Sequence, residues 1–310
     1  MTRVSIGTWA FGVYTEQPLP FSQVLDRITE LGFDGVELGA FLPHPDPSTC
    51  ATTASQAELR ESFASRGLEL SAVATDFLET SILGQDSTPY LAALDRNLGF
   101  CNAVGAPRLI VNTLDPPEVV SEIGEAIAME RLLRTWRAAA DRAEAAGIML
   151  AFEFEPCWAL NEPAQVVQIA HELAGPGFGV LYDTAHAHIV STVGIPGSAK
   201  QTTLSGGQIE LLEQLSGTIV HVHLLDSNGS IHEGTKSTDR TTVHVPFGQG
   251  EVDFNRVIPA LVAAGGSTDW WTVDLCFWPD PWGAAAASKE FVDGLVRTYA
   301  NPAQSAAHRI

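Results

Sequence analysis

The sequence predicts an α/β protein, a single (β/α)8 TIM barrel forming one domain over residues 1–310. Three observations carry that prediction. Eight short strand-like runs alternate with eight amphipathic stretches, no linker or break in composition divides the chain, and several helices stop at a glycine just before the next strand. Such alternation at this length fits a parallel barrel, whose functional side chains emerge at the C-terminal ends of its strands.

In chain order, the first half is read as strand 4–9 and helix 22–31, strand 34–39 and helix 56–66, strand 69–75 and helix 90–104, and strand 108–112 and helix 126–146. The second half is read as strand 148–156 and helix 163–173, strand 178–186 and helix 208–215, strand 219–227 and helix 254–264, and strand 270–277 and helix 285–299. The helical stretches place apolar residues near i, i+3 and i+4. Gly32, Gly67, Gly105 and Gly147 stand where left-handed caps end helices. An open doubly wound sheet is the competing architecture, but Gly7-Thr8-Trp9-Ala10-Phe11-Gly12 after the first strand is not a dinucleotide fingerprint. Connections 40–53, 188–205 and 228–252 are long and are expected to frame the mouth. The last is polar and punctuated by glycine, as in a segment that orders over a ligand.

A 45% hydrophobic content is ample for a large core. No apolar run approaches the ~18 residues of a membrane span, and the N-terminus lacks the apolar region of a signal peptide. The expectation is a soluble, cytoplasmic protein with no membrane partner. Cys50, Cys101, Cys157 and Cys276 form no C-x-x-C pair and are read as reduced packing residues. The net charge of −20, from 37 acidic and 17 basic residues, repels a polyphosphate backbone, so nucleic acid is a poor ligand. The same charge favours cations, although solubility alone accounts for it.

Four of the strand-like runs carry a metal-binding side chain near their ends: Glu153, Asp183, His223 and Asp274. Each follows an apolar run that does not tolerate an ionised group without a partner, and a cation supplies one. Three carboxylates and one imidazole suit one divalent ion, Mn2+ first, with Mg2+, Co2+ or Zn2+ as alternatives.

The segments Ala151-Phe152-Glu153-Phe154-Glu155-Pro156, Asp183-Thr184-Ala185-His186, His221-Val222-His223-Leu224-Leu225-Asp226 and Val245-Pro246-Phe247-Gly248-Gln249-Gly250 resemble the xylose-isomerase-like TIM-barrel superfamily, in particular its sugar phosphate isomerase/epimerase members. The resemblance covers nearly the whole chain. It implies metal ligation by Glu153, Asp183, His223 and a carboxylate on the eighth strand, with His186 near the reacting carbonyl of the substrate. One position departs from the pattern: Asp274 stands where such enzymes usually present Glu, and its carboxylate sits roughly 1.5 Å further back.

Glu153 and Asp274 are the expected acid/base pair, with His186 as a third catalytic residue. Substrate contacts are expected from Glu37, Glu155, His188, His244 and Trp278. For Glu37 a salt bridge within the barrel is the alternative, and for His221 a hydrogen-bonded core position is preferred. The expected function is a metal-dependent sugar isomerase or epimerase working through an enediolate. A lyase resembling the catalytic α subunit of C-glycoside deglycosidases, beside a small partner subunit, is the second reading. A non-catalytic sugar-binding or regulatory barrel is the third.

Overall fold

Among the described residues ten strands form, eight of them where the strand-like runs lie and two, β8 and β9, mainly in the polar connection that follows β7: β1 (Arg3–Gly7), β2 (Gly35–Ala40), β3 (Glu69–Thr75), β4 (Arg108–Val111), β5 (Met149–Glu153), β6 (Phe178–Asp183), β7 (Ile219–Leu224), β8 (Asp226–His232), β9 (Thr241–Val245) and β10 (Trp270–Val273). Eight of them close into a parallel barrel in the order β1-β10-β7-β6-β5-β4-β3-β2. The other two, β8 and β9, form a separate antiparallel hairpin. This computed structural model describes residues 2–15, 17–75, 77, 80–196, 202–232, 241–266 and 268–300.

The described α-helices are α1 (Phe21–Glu30), α2 (Thr53–Ala64), α3 (Thr88–Val104), α4 (Pro117–Ile123), α5 (Glu125–Ala146), α6 (Pro163–Leu173), α7 (Thr184–His188), α8 (Gly207–Gln214), α9 (Phe254–Leu261) and α10 (Pro281–Leu295). Eight of them fall where apolar periodicity predicts a helix. The sequence reading missed α4 and α7 for different reasons. At seven residues α4 is too short for its apolar Val119, Val120 and Ile123 to establish a period, whereas all of α7 is buried and reads as a continuation of the preceding strand.

Period-two alternation divides each barrel strand into an outward and an inward set. Outward residues such as Val36, Val73, Leu109, Phe152, Tyr182 and Val222 join the main core under the helices. Inward, Ala72, Ile110, Ala151 and Leu181 form a small apolar plug of their own. The inward positions of the remaining strands are polar: Ser5 Oγ lies 2.8 Å from Thr272 Oγ1, which donates to Glu37 Oε2 at 3.2 Å. One half of the barrel interior is therefore apolar and the other half is hydrogen-bonded.

The strands end earlier than the sequence suggests. Segment 178–186 is strand only to Asp183, whose Oδ1 accepts from the backbone N–H groups of Ala185 and His186 at 2.8 and 2.7 Å and caps α7. His186 thus stands on a helix, not on a strand. Segment 219–227 breaks at Leu225, after which the hairpin begins. Of the three long connections, residues 197–201 and 233–240 lie outside the described residues. Of 228–252, residues 228–232 and 241–245 pair as the hairpin, and 246–252 are turns and bends. Asp226 anchors its return, accepting from the N–H groups of Gly248, Gly250 and Val252 at 2.8, 3.0 and 3.2 Å. A Cβ at Gly250 would lie 2.2 Å from Asp226 Oδ1, so this anchor requires glycine.

Candidate metal centre

Inward residues at the C-terminal strand ends converge. Glu153, Asp183, His223 and Asp274 are all buried and each offers a ligand atom within 4.8 Å of the other three. Two of the four, Asp183 and His223, are oriented alike, with one polar atom held by the protein and the other turned to the shared volume. Asp183 Oδ1 is taken by the α7 amides, while its buried Oδ2 has no partner. His223 Nε2 lies 2.9 Å from Glu37 Oε1, and its buried Nδ1 makes no hydrogen bond but lies 3.1 Å from Glu153 Oε1. Asp274 Oδ1 accepts from Trp9 Nε1–H at 2.7 Å.

Glu37 explains the orientation of His223. Its carboxylate is wholly inaccessible and is held by His221 Nε2 at 2.6 Å and His223 Nε2 at 2.9 Å. An imidazole that donates Nε2–H keeps its lone pair on Nδ1, the nitrogen a metal needs. Despite its burial, Glu37 is held below the ordinary carboxylate range by the two imidazoles. Both its oxygens are occupied, which corrects the expectation of a sugar contact and favours the internal pairing. His221 is the hydrogen-bonded core residue expected of it.

Burial and mutual charge shift the titration of these groups. Burial, then the charge of Asp274, pushes the Asp183 carboxyl well above its ordinary range. Burial also raises Asp274, to about 6, against the opposing pull of His223. On His223 burial disfavours charge, yet Glu37 and Glu153 outweigh it and hold the imidazole well above its usual value. Two buried ligand atoms without a hydrogen bond, Asp183 Oδ2 and His223 Nδ1, beside clustered carboxylates are what a divalent cation would satisfy, and the donor set fits one.

Around this group stand two more histidines. His186 Nε2 lies 3.7 Å from Glu153 Oε1, and its Nδ1 is 3.1 Å from Thr242 Oγ1 on β9. His244, also on β9, accepts the Cys276 backbone N–H on Nδ1 at 3.0 Å and places Nε2 3.7 Å from Asp274 Oδ2. His244, Asp274 and Cys276 form a second close group of ligand-type residues. Since Nδ1 of His244 is an acceptor, Nε2 carries the hydrogen and has no lone pair for a metal. His244 is thus a buried hydrogen-bond donor facing the centre.

Glu155 is half-buried and accepts from Asn112 Nδ2 at 2.9 Å; burial, then the charges of Glu153 and Asp274, raises its carboxyl to about 8. His188, expected as a substrate contact, lies 3.5 Å from Glu251 instead. It sits two residues after His186 on α7, and helix positions two apart do not share a face. The Trp278 ring packs partly buried against the core, with its Nε1 unpartnered. Sequence reasoning missed Tyr14, whose phenol is raised by burial and by the nearby Cys276 and Glu155. It also missed Thr242, because neither residue stands in a motif that marks it. A cavity of about 460 Å³ lies elsewhere, among Arg3, Arg60, Val104 and Trp270, and touches none of these groups.

Residues 25–292 match a family model described as the xylose isomerase-like TIM barrel. The chain belongs to that family. This xylose isomerase-like barrel is also similar to solved structures whose described activities include sugar epimerisation. L-ribulose 3-epimerase aligns at 18% identity with a TM-score of 0.72, over 100% of this chain and 99% of that one. The IOLI protein with a bound zinc atom aligns at 19% and 0.70, over 96% and 99%. The apo form of 3-keto-D-glucoside 4-epimerase YcjR from E. coli aligns at 16% and 0.66, over 95% and 100%. At these identities the likeness shows the fold. No curated protein matches the chain. Among the described residues, no helix is long and apolar enough to cross a membrane.

Proposed function

We propose that this barrel is a divalent-metal-dependent enzyme that moves a proton on the carbon beside a sugar carbonyl, giving an isomer or an epimer. The observation that carries this reading is the four-residue group with the unpartnered Asp183 Oδ2 and His223 Nδ1. Glu153, Asp183, His223 and Asp274 would hold the ion, Mn2+ first among Mn2+, Mg2+, Co2+ and Zn2+. When bound, it supplies Lewis-acid polarisation of a carbonyl and its adjacent hydroxyl.

The protein groups supply the rest. Glu153 on β5 and Asp274 after β10 face each other across the mouth and serve as the acid/base pair. His186 and the Nε2–H of His244 orient substrate oxygens, and Glu155 accepts from a substrate hydroxyl. The buried surroundings keep bulk water from the proton in transit. We read residues 1–310 as one domain acting on a free sugar or glycoside, as an oligomer.

A second reading is elimination of an aglycone from a 3-keto glycoside, with or without a small partner subunit. It is supported by the fixed Asp274, since elimination needs one mobile base where epimerisation needs two. An aromatic wall also supports it, with Phe277 at 3.9 Å from the His232 ring and 4.5 Å from Tyr14.

Incubation with Mn2+ and a panel of ketoses, 3-keto sugars and 3-keto glycosides in D2O tests both. Deuterium at carbon without bond cleavage is the expected result. Release of an aglycone would replace it with the second reading. Glu153→Gln is expected to abolish turnover, and substantial activity in that variant removes Glu153 from the chemistry.

A further inference from the structure

We infer that Trp9 is the positioning residue that lets a short Asp274 serve the metal centre, an inference that rests on the metal reading above. An aspartate lacks one methylene of reach and turns freely about two bonds, so something must fix which oxygen it presents. Trp9 Nε1–H donates to Asp274 Oδ1 at 2.7 Å, with both side chains buried. The Cys276 thiol is on the same oxygen at 3.8 Å. That leaves Oδ2 for the shared volume.

Gly7 supports the assignment independently. The indole folds back over Gly7, where a Cβ would lie 2.2 Å from a ring carbon. Gly7 itself has φ −67° and ψ 128°, ordinary extended backbone that any residue adopts. Glycine is therefore required there by the ring, not by the chain. The same indole lies 6.0 Å from the His223 ring, so it borders two of the four ligands.

Partners of a metal ligand are typically worth 10–100-fold in affinity. Mn2+ binding to the full chain, followed by the paramagnetic resonance of the free ion, is the measurement. Trp9→Phe is expected to weaken binding about 10–100-fold. Gly7→Ala, which keeps the indole N–H but displaces the ring, is expected to weaken it similarly. On an Asp274→Asn background, Trp9→Phe should add less than about twofold, because its effect passes through Asp274. Undiminished Mn2+ affinity in Trp9→Phe or Gly7→Ala overturns the inference alone, as does a full loss on the Asp274→Asn background. Native protein that binds no Mn2+ overturns the metal reading, and this inference with it.

Discussion

A histidine has two nitrogens, and the partner of one decides the use of the other. Glu37 takes Nε2–H of His223 and leaves Nδ1 facing Glu153 Oε1, 3.1 Å away, without a hydrogen bond. Cys276 N–H fills Nδ1 of His244 and leaves Nε2–H as a donor. Burial raises the Asp183 carboxyl, and Glu37 and Glu153 raise the His223 imidazole against the effect of burial, so both ligand groups favour their protonated forms. Mn2+ uptake is therefore expected to release protons, and affinity to rise with pH by about tenfold per unit for each proton displaced. Calorimetry in buffers of different ionisation enthalpy reads this, and a pH-independent affinity would contradict it. His44 makes a separate case, buried against Phe21 with Nε2 unpartnered and lowered by burial to about 4. The unfolded chain protonates this histidine near 6.5 and the folded chain only near 4, so the unfolded state binds more protons in between. Stability is expected to fall as pH drops through that window, by roughly 3 kcal/mol at most. Urea unfolding of His44→Phe should show a shallower pH slope than the native chain; an equal slope would clear His44.

At the scale of elements, the centre is assembled by a strand end, a helix start and a hairpin together. Asp183 ends β6 and starts α7 with one oxygen, and α7 then carries His186 to Thr242 on β9. If His244 works as a neutral donor, His244→Phe should lower kcat on the order of 10²-fold. His244→Gln, whose amide can both accept from Cys276 and donate, should retain much of it. Equal loss in both variants would count against the donor role. The four ligand-type residues were legible because each breaks an apolar strand with a side chain that burial alone does not tolerate. The helix α7 was not, since Asp183-Thr184 capping is hidden inside a continuous buried run. Tyr14, Thr242 and the Trp9 hydrogen bond reach the centre from connections far apart in sequence, where no period or spacing signals the meeting.

At the scale of the molecule, the closed barrel makes burial of its polar half unavoidable. Ser5, Thr272, Glu37 and His221 Nε2 hydrogen-bond to one another in that interior, with His221 Nδ1 left without a hydrogen bond, and form the floor beneath His223. A ligand held at the top of this column stabilises the folded chain only. Saturating Mn2+ at about 100 times its Kd is expected to add about 2.7 kcal/mol of stability, read as a rise in thermal midpoint that a chelator reverses. No rise would argue that the column stands complete without an ion.

Because β7 pairs directly with β10, the hairpin β8–β9 contributes no strand to the barrel. Scaffold and recognition are thereby written in separable stretches of the chain. The hairpin, which carries His244 and Thr242, is free to be exchanged or rebuilt while the barrel's pairing stays as it is. On the proposed reading, a lineage of such barrels can change what it recognises by rewriting one insertion, with Glu153, Asp183, His223 and Asp274 untouched.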